Sequence, residues 1–126
     1  MNTISGKKIA VIDDTAGNLM LFTALLEAHG AEVMTSSSGR EFLAQLPGIT
    51  LDLILLDIQM PDMDGYAVFD QLRKNTATMQ TPVVALTAHA MSGDREKILE
   101  LGFTGYIAKP LDTRDFPHQV AIFITD

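Results

Sequence analysis

Four short motifs in this 126-residue chain carry side chains that could act together: Asp13-Asp14, Asp57, Thr87-Ala88 and Lys109-Pro110. Asp57 closes the apolar run Leu53-Ile54-Leu55-Leu56 and is followed at once by the turn-rich stretch Ile58-Gln59-Met60-Pro61-Asp62-Met63-Asp64-Gly65. A carboxylate where a buried strand enters a loop is costly as a lone anion unless a cation or phosphate chemistry uses it. Taken singly, Asp57 reads as a turn opener, Asp13-Asp14 as a helix cap, Thr87 as an N-cap and Lys109 as a solvated charge. Taken together, they make a site. Three neighbouring carboxylates raise one another's pKa values, and a hard divalent cation relieves that strain. Mg²⁺ suits the set, because it binds through one or two carboxylates plus waters and phosphate oxygens. A hydroxyl and an ammonium in the same crevice would then hold the remaining oxygens of a phosphoryl group carried by Asp57.

These motifs meet only if the elements before them form one sheet. Strand-like and helix-like segments alternate throughout, as in βαβ units wound into a parallel sheet. Ile9 to Ile12 reads as a buried strand. A helix from about Gly17 to His29 follows, with Leu19, Phe22 and Leu26 at core spacing and Gly30 as its stop. Ala31 to Thr35 is a second strand, Ser38 to about Leu46 a helix closed by Pro47 and capped within Ser36-Ser37-Ser38-Gly39, and Leu51 to Leu56 a third strand. Tyr66 to Lys74 is helical with Val68, Phe69 and Leu72 inward. Pro82 to Leu86 is the fourth strand, Ser92 to Leu101 a charged helix stopped by Gly102, and Gly105 to Ala108 the fifth strand. A last helix starts near Thr113, with Pro117 tolerable only in its first turn. Each motif then falls at a strand's carboxyl end, where open parallel sheets form their crevice.

Composition narrows the classes. At 47% hydrophobic residues the chain supports one ordinary domain spanning 1–126, with no linker or internal repeat. Without cysteine it has neither a disulfide framework nor a thiolate metal site. The polar N-terminal segment and the lack of any long apolar stretch suggest a soluble, cytoplasmic protein with no membrane partner. A net charge of −7 with nine scattered basic residues argues against nucleic-acid binding.

Across essentially its whole length the chain resembles the receiver domains of two-component response regulators, whose motifs stand here in order: Asp13-Asp14, Leu56-Asp57 with Met60-Pro61-Asp62-Met63-Asp64-Gly65, Leu86-Thr87-Ala88 and Lys109-Pro110. The resemblance implies a flavodoxin-like doubly wound α/β fold, with a five-stranded parallel sheet of order 2-1-3-4-5 and five helices. It implies that Asp57 accepts a phosphoryl group from a phosphohistidine of a sensor kinase or phosphotransfer protein. Asp14 would bind Mg²⁺ directly, Asp13 through water, and Gln59 through its backbone carbonyl. Thr87 and Lys109 would hold phosphoryl oxygens, with Ala88 leaving room beside them. Tyr106 would be the switch aromatic coupled to Thr87, and the Lys109-Pro110 bond would be cis. The domain would not be an enzyme beyond catalysing its own phosphorylation and dephosphorylation.

Other residues modify this reading. Gln59 and His89, each two positions past a motif residue, would tune the lifetime of the aspartyl phosphate. With Leu19, Phe22 and Leu26 inward, a helical wheel turns Met20, Leu21, Ala24 and Ala28 outward as an apolar docking face for the phosphodonor. Asp94-Arg95-Glu96-Lys97 reads as a solvated helix face. A start at Met1 close to the first strand and a final helix running to the end favour a stand-alone regulator, monomeric or weakly dimeric, that signals by contact with a downstream protein. A receiver cut from a larger hybrid kinase or regulator is the alternative. A haloacid-dehalogenase-type phosphohydrolase would need an acid two residues after its nucleophile, where this chain has Gln59, and a flavodoxin-type phosphate loop is incompatible with Asp13-Asp14.

Overall fold

The computed structural model describes residues 4–61, 63–88, 94–109 and 112–124. Strands β1 (Lys8–Ile12), β2 (Glu32–Ser36), β3 (Leu53–Asp57), β4 (Val83–Thr87) and β5 (Gly105–Ala108) form one parallel sheet in the order β2-β1-β3-β4-β5. Helices α1 (Ala16–Glu27), α2 (Gly39–Gln45), α3 (Gly65–Lys74), α4 (Asp94–Glu100) and α5 (Phe116–Phe123) alternate with them. This is the doubly wound architecture expected from the alternating pattern.

The continuous apolar runs hide a period of two. Successive side chains of a strand point to opposite faces, so a strand covered on both sides has no polar face to show. Ile9, Val11, Leu53, Leu55, Val84 and Leu86 pack on one side with Phe22 and Leu26 of α1 and Phe116 and Val120 of α5. Ala10, Ile12, Ile54, Leu56, Val83 and Ala85 pack on the other with Phe42 of α2, Val68, Phe69 and Leu72 of α3, and Ile98 of α4. The rings of Phe22 and Phe116 stack at 5.4 Å and tie α1 to α5 across the first layer, a contact worth about 1 kcal/mol beyond the buried area.

Local chemistry sets the element ends. Ser38 caps α2 by accepting from the Glu41 N–H at 3.1 Å, as the serine run suggested. Gly30 and Gly102 stand at φ values of 90° and 107° after α1 and α4, a region open to glycine. The last helix begins at Phe116, not near Thr113. The Asp112 carboxylate accepts from the N–H groups of Arg114 and Asp115, holding a turn that delays the helix. Pro117 still falls in the first turn. Ser92, expected to open α4, lies outside the described residues.

Candidate functional site

Because all strands of a parallel sheet end on the same edge, their carboxyl ends bring distant sequence positions together. Asp13 and Asp14 follow β1, Asp57 ends β3, Thr87 ends β4 and Lys109 follows β5. Carboxylate oxygens of Asp13, Asp14 and Asp57 lie within 4.8 Å of one another. Asp13 is fully buried and Asp57 nearly so, while Asp14 is exposed. The Lys109 ammonium bridges the two buried acids, donating to Asp13 Oδ2 at 2.8 Å and to Asp57 Oδ2 at 3.2 Å.

The same backbone device aims both buried carboxylates. Asp13 Oδ1 accepts from the Thr15 N–H, and Asp57 Oδ1 accepts from the Gln59 N–H, each at 2.9 Å and two residues on. Such Asx turns fix the carboxylate relative to the chain that leaves the strand. Close packing holds the loop after Asp57: a Cβ on Gly65 would stand 2.5 Å from Ile58 Cα and 2.6 Å from the Asp57 carbonyl oxygen, so α3 approaches the end of β3 at backbone distance. Asp64 then caps α3 by accepting from the Ala67 N–H at 2.9 Å.

Charge balance follows from burial. Burial pushes the Asp57 carboxyl above its ordinary range. The Gln59 N–H and Lys109 oppose this, the Asp13 charge adds to it, and the net direction is upward. Burial alone would lower the Lys109 ammonium, but the hydrogen bonds and charges of Asp13 and Asp57 together outweigh it and hold the pKa above its usual value. Lysine therefore stays charged. An all-oxygen set of crowded acids is the donor chemistry that a hard divalent cation takes.

Thr87 is fully buried next to Leu86, the register partner of Asp57, and its carbonyl accepts from the Lys109 N–H at 2.8 Å. Ala88 is exposed beside it. Tyr106 is half-buried on β5 against the second core layer, two residues before the strand-end lysine's neighbour Ala108. Gln59 is exposed at the loop's start. Met20 and Leu21 are 73% and 39% exposed, and Ala24 and Ala28 are exposed too, so α1 shows the outward apolar strip that the helical wheel indicates. His89, Asp62 and Pro110 lie outside the described residues.

Family comparison decides what this arrangement is. The model of the response regulator receiver domain matches residues 9–121. The chain belongs to the response regulator receiver family. It is 36% identical over 120 residues to the polar-differentiation response regulator DivK of Brucella ovis, covering 95% of this receiver and 98% of DivK. It is 42% identical over 104 residues to the histidine-protein kinase BarA of Escherichia coli K12, covering 82% of this chain but only 11% of that kinase. Among solved structures, the receiver domain of a sensor histidine kinase from Pseudomonas aeruginosa PAO1, which holds a magnesium ion in its active-site cleft, superposes with a TM-score of 0.84 at 28% identity, covering 94% of this chain and 98% of that one. The receiver is thus a switch module of two-component phosphorelay signalling, and not an enzyme in the ordinary sense. Among the described residues no helix is long and apolar enough to cross a membrane.

Two features of this receiver's site escaped the sequence reading. Asn18 of α1 reaches the buried Asp13 carboxylate, donating from Nδ2 to Oδ1 at 3.4 Å and to Oδ2 at 3.3 Å. The sequence signal was a lone amide in the first turn of a largely apolar helix. The fourth helix is also less simply solvated than expected. Arg95 and Lys97 are exposed, yet the Arg95 guanidinium lies 5.2 Å from the Tyr106 ring centroid and the Lys97 ammonium 4.4 Å from that of Tyr66. Cation–π contacts of this kind are worth about 0.5–1 kcal/mol at exposed sites, and here they join α4 to Tyr106 of β5 and to Tyr66 of α3.

Proposed function

We propose that Asp57 is the phosphoacceptor of this receiver, taking a phosphoryl group from a phosphohistidine of a histidine kinase or phosphotransfer protein. The observation that carries this is the convergence of three carboxylates, bridged by Lys109, beside a buried threonine at the end of the neighbouring strand. Asp14, Asp57 and the Gln59 carbonyl would hold Mg²⁺, with Asp13 reached through water. The bound ion would supply charge neutralisation for the transferring phosphoryl oxygens. An Asp57 oxygen attacks phosphorus, the P–N bond to the imidazole breaks, and the leaving imidazole takes up a proton. Lys109 is already within reach of Asp57 Oδ2, so it can move to a phosphoryl oxygen with little rearrangement. Thr87 donates its hydroxyl to another oxygen. Positioning and charge stabilisation of this kind suffice for phosphoryl transfer, so the domain catalyses its own modification.

Movement of Thr87 toward the phosphoryl group shifts Tyr106 inward and, with it, the Arg95 contact to α4; phosphorylation thereby biases a two-state equilibrium read by a downstream protein. Gln59 and His89 adjust the phosphate's lifetime, and Met20, Leu21, Ala24 and Ala28 receive the donor's helix. Residues 1–126 act as a single receiver domain in the cytoplasm. Incubation with Mg²⁺ and phosphoramidate should yield one base-labile phosphate per chain, absent in Asp57→Asn and in EDTA. Label that persists in Asp57→Asn, or labelling indifferent to EDTA, would overturn the assignment.

A further inference from the structure

Asp13 is fully buried, and three groups of this chain donate to its carboxylate: Thr15 N–H at 2.9 Å, the Asn18 amide shared across both oxygens at 3.4 and 3.3 Å, and Lys109 at 2.8 Å. The donors are not equivalent. Lys109 is shared with Asp57, and any move toward a group on Asp57 takes its charge from Asp13. The Thr15 N–H holds one oxygen alone. The Asn18 amide spans both, comes from a helix anchored in the core by Phe22 and Leu26, and carries no charge. A neutral donor can orient a carboxylate without cancelling the charge that a divalent cation needs, whereas an ammonium competes with the cation for it.

From this geometry we infer that Asn18 is a positioning residue of the phosphorylation site: its side-chain amide helps hold the Asp13 carboxylate in its metal-facing orientation, and so sets the affinity for Mg²⁺. The inference rests on the metal-binding reading proposed above and extends it to a residue on α1. Groups that orient the ligands of a metal site commonly change affinity by roughly tenfold or more when removed. Here the bonds are long and the amide is neutral, so the lower end applies.

The test is a calorimetric titration of the metal-free full chain with MgCl₂ at constant ionic strength, with Mn²⁺ paramagnetic resonance as a second readout. Asn18→Ala and the shape-matched Asn18→Leu should each bind Mg²⁺ about 3–10-fold more weakly than the unaltered protein. Gly17→Ala is the control: a Cβ there meets nothing within 4 Å, so it changes α1 without touching Asp13, and its affinity should equal that of the unaltered protein. Two variants guard against misfolding of either one, and far-UV circular dichroism in EDTA confirms which are folded. Unaltered affinity in either folded Asn18 variant overturns the positioning role and leaves the site assignment standing. Equal weakening in Gly17→Ala also overturns it, by tracing the effect to the helix. Failure of the unaltered protein to bind Mg²⁺ overturns both readings.

Discussion

Replacing Asp57 by asparagine should stabilise the metal-free protein, although it removes the proposed phosphoacceptor. The buried Asp57 carboxyl is pushed above its ordinary pKa, chiefly by desolvation, so its ionised form is uphill in the fold. The opposing forces are comparable. Repulsion from Asp13 at up to 4.8 Å amounts to about 3–4 kcal/mol at an effective dielectric of ~20. Attraction to Lys109 at 3.2 Å is about 5 kcal/mol on the same scale, before either partner's desolvation. The upward shift says that burial and repulsion win. Neutralising the group should therefore raise the melting temperature in EDTA, by ~4 °C for each kcal/mol gained in a chain of this size. Asparagine keeps an oxygen for the Gln59 N–H, and Lys109 keeps Asp13 as its partner.

The pH dependence has a definite sign. Below the unfolded value of 3.8 both states are protonated and the two proteins should be alike. From there upward the unfolded carboxyl ionises more readily than the folded one, so the variant's advantage grows and then levels off above the raised folded value. Mg²⁺ should shift the balance toward the parent, because a tenfold excess over its dissociation constant adds about 1.4 kcal/mol to the protein that binds it. Urea unfolding in EDTA and in MgCl₂, from pH 3 to 8, reads all of this. A variant less stable than the parent in EDTA at pH 7, or equal stabilisation of both by Mg²⁺, would refute the reasoning.

Gly65→Ala forces a Cβ against the backbone of Asp57 and Ile58, where no flexible side chain can yield; it should cost about 1–3 kcal/mol in urea unfolding and slow labelling of Asp57 by phosphoramidate. Arg73, with a guanidinium whose pKa burial lowers, donates to the carbonyls of Thr78 and Thr81 at 3.1 Å and lies 4.6 Å from the Phe69 ring centroid; Arg73→Met should lose about 1–3 kcal/mol through the two lost hydrogen bonds, without altering Mg²⁺ affinity.

The order of elements, the parallel sheet and the receiver-family motifs were all legible in the chain, because each is written locally. Runs of β-branched and leucine residues mark strands, glycine stops such as Gly30 and Gly102 mark helix ends, and Asp13, Asp57, Thr87 and Lys109 each stand at a strand's carboxyl end. Parallel order alone then brings these ends to one edge. The helical wheel of α1 likewise separated buried Phe22 and Leu26 from exposed Met20 and Leu21.

Only the folded chain decided which groups touch. Nothing in the spacing of Asn18, five residues past Asp13, says that its amide turns back onto that carboxylate, since helix entry after Thr15 sets the direction. The Lys109 bridge spans 96 residues to Asp13, and its length depends on strand register. The charged face of α4 read as solvated because periodicity reports exposure, and exposed cations can still lie on rings from other elements, as Arg95 does on Tyr106. Asp112 delayed α5 by a turn for the same kind of reason, a side chain competing for backbone donors that propensity assigns to the helix. Sequence determined where the reactive groups would gather, because strand ends are a local property; tertiary structure decided which of them hold one another, because contact distances arise only when separate elements pack.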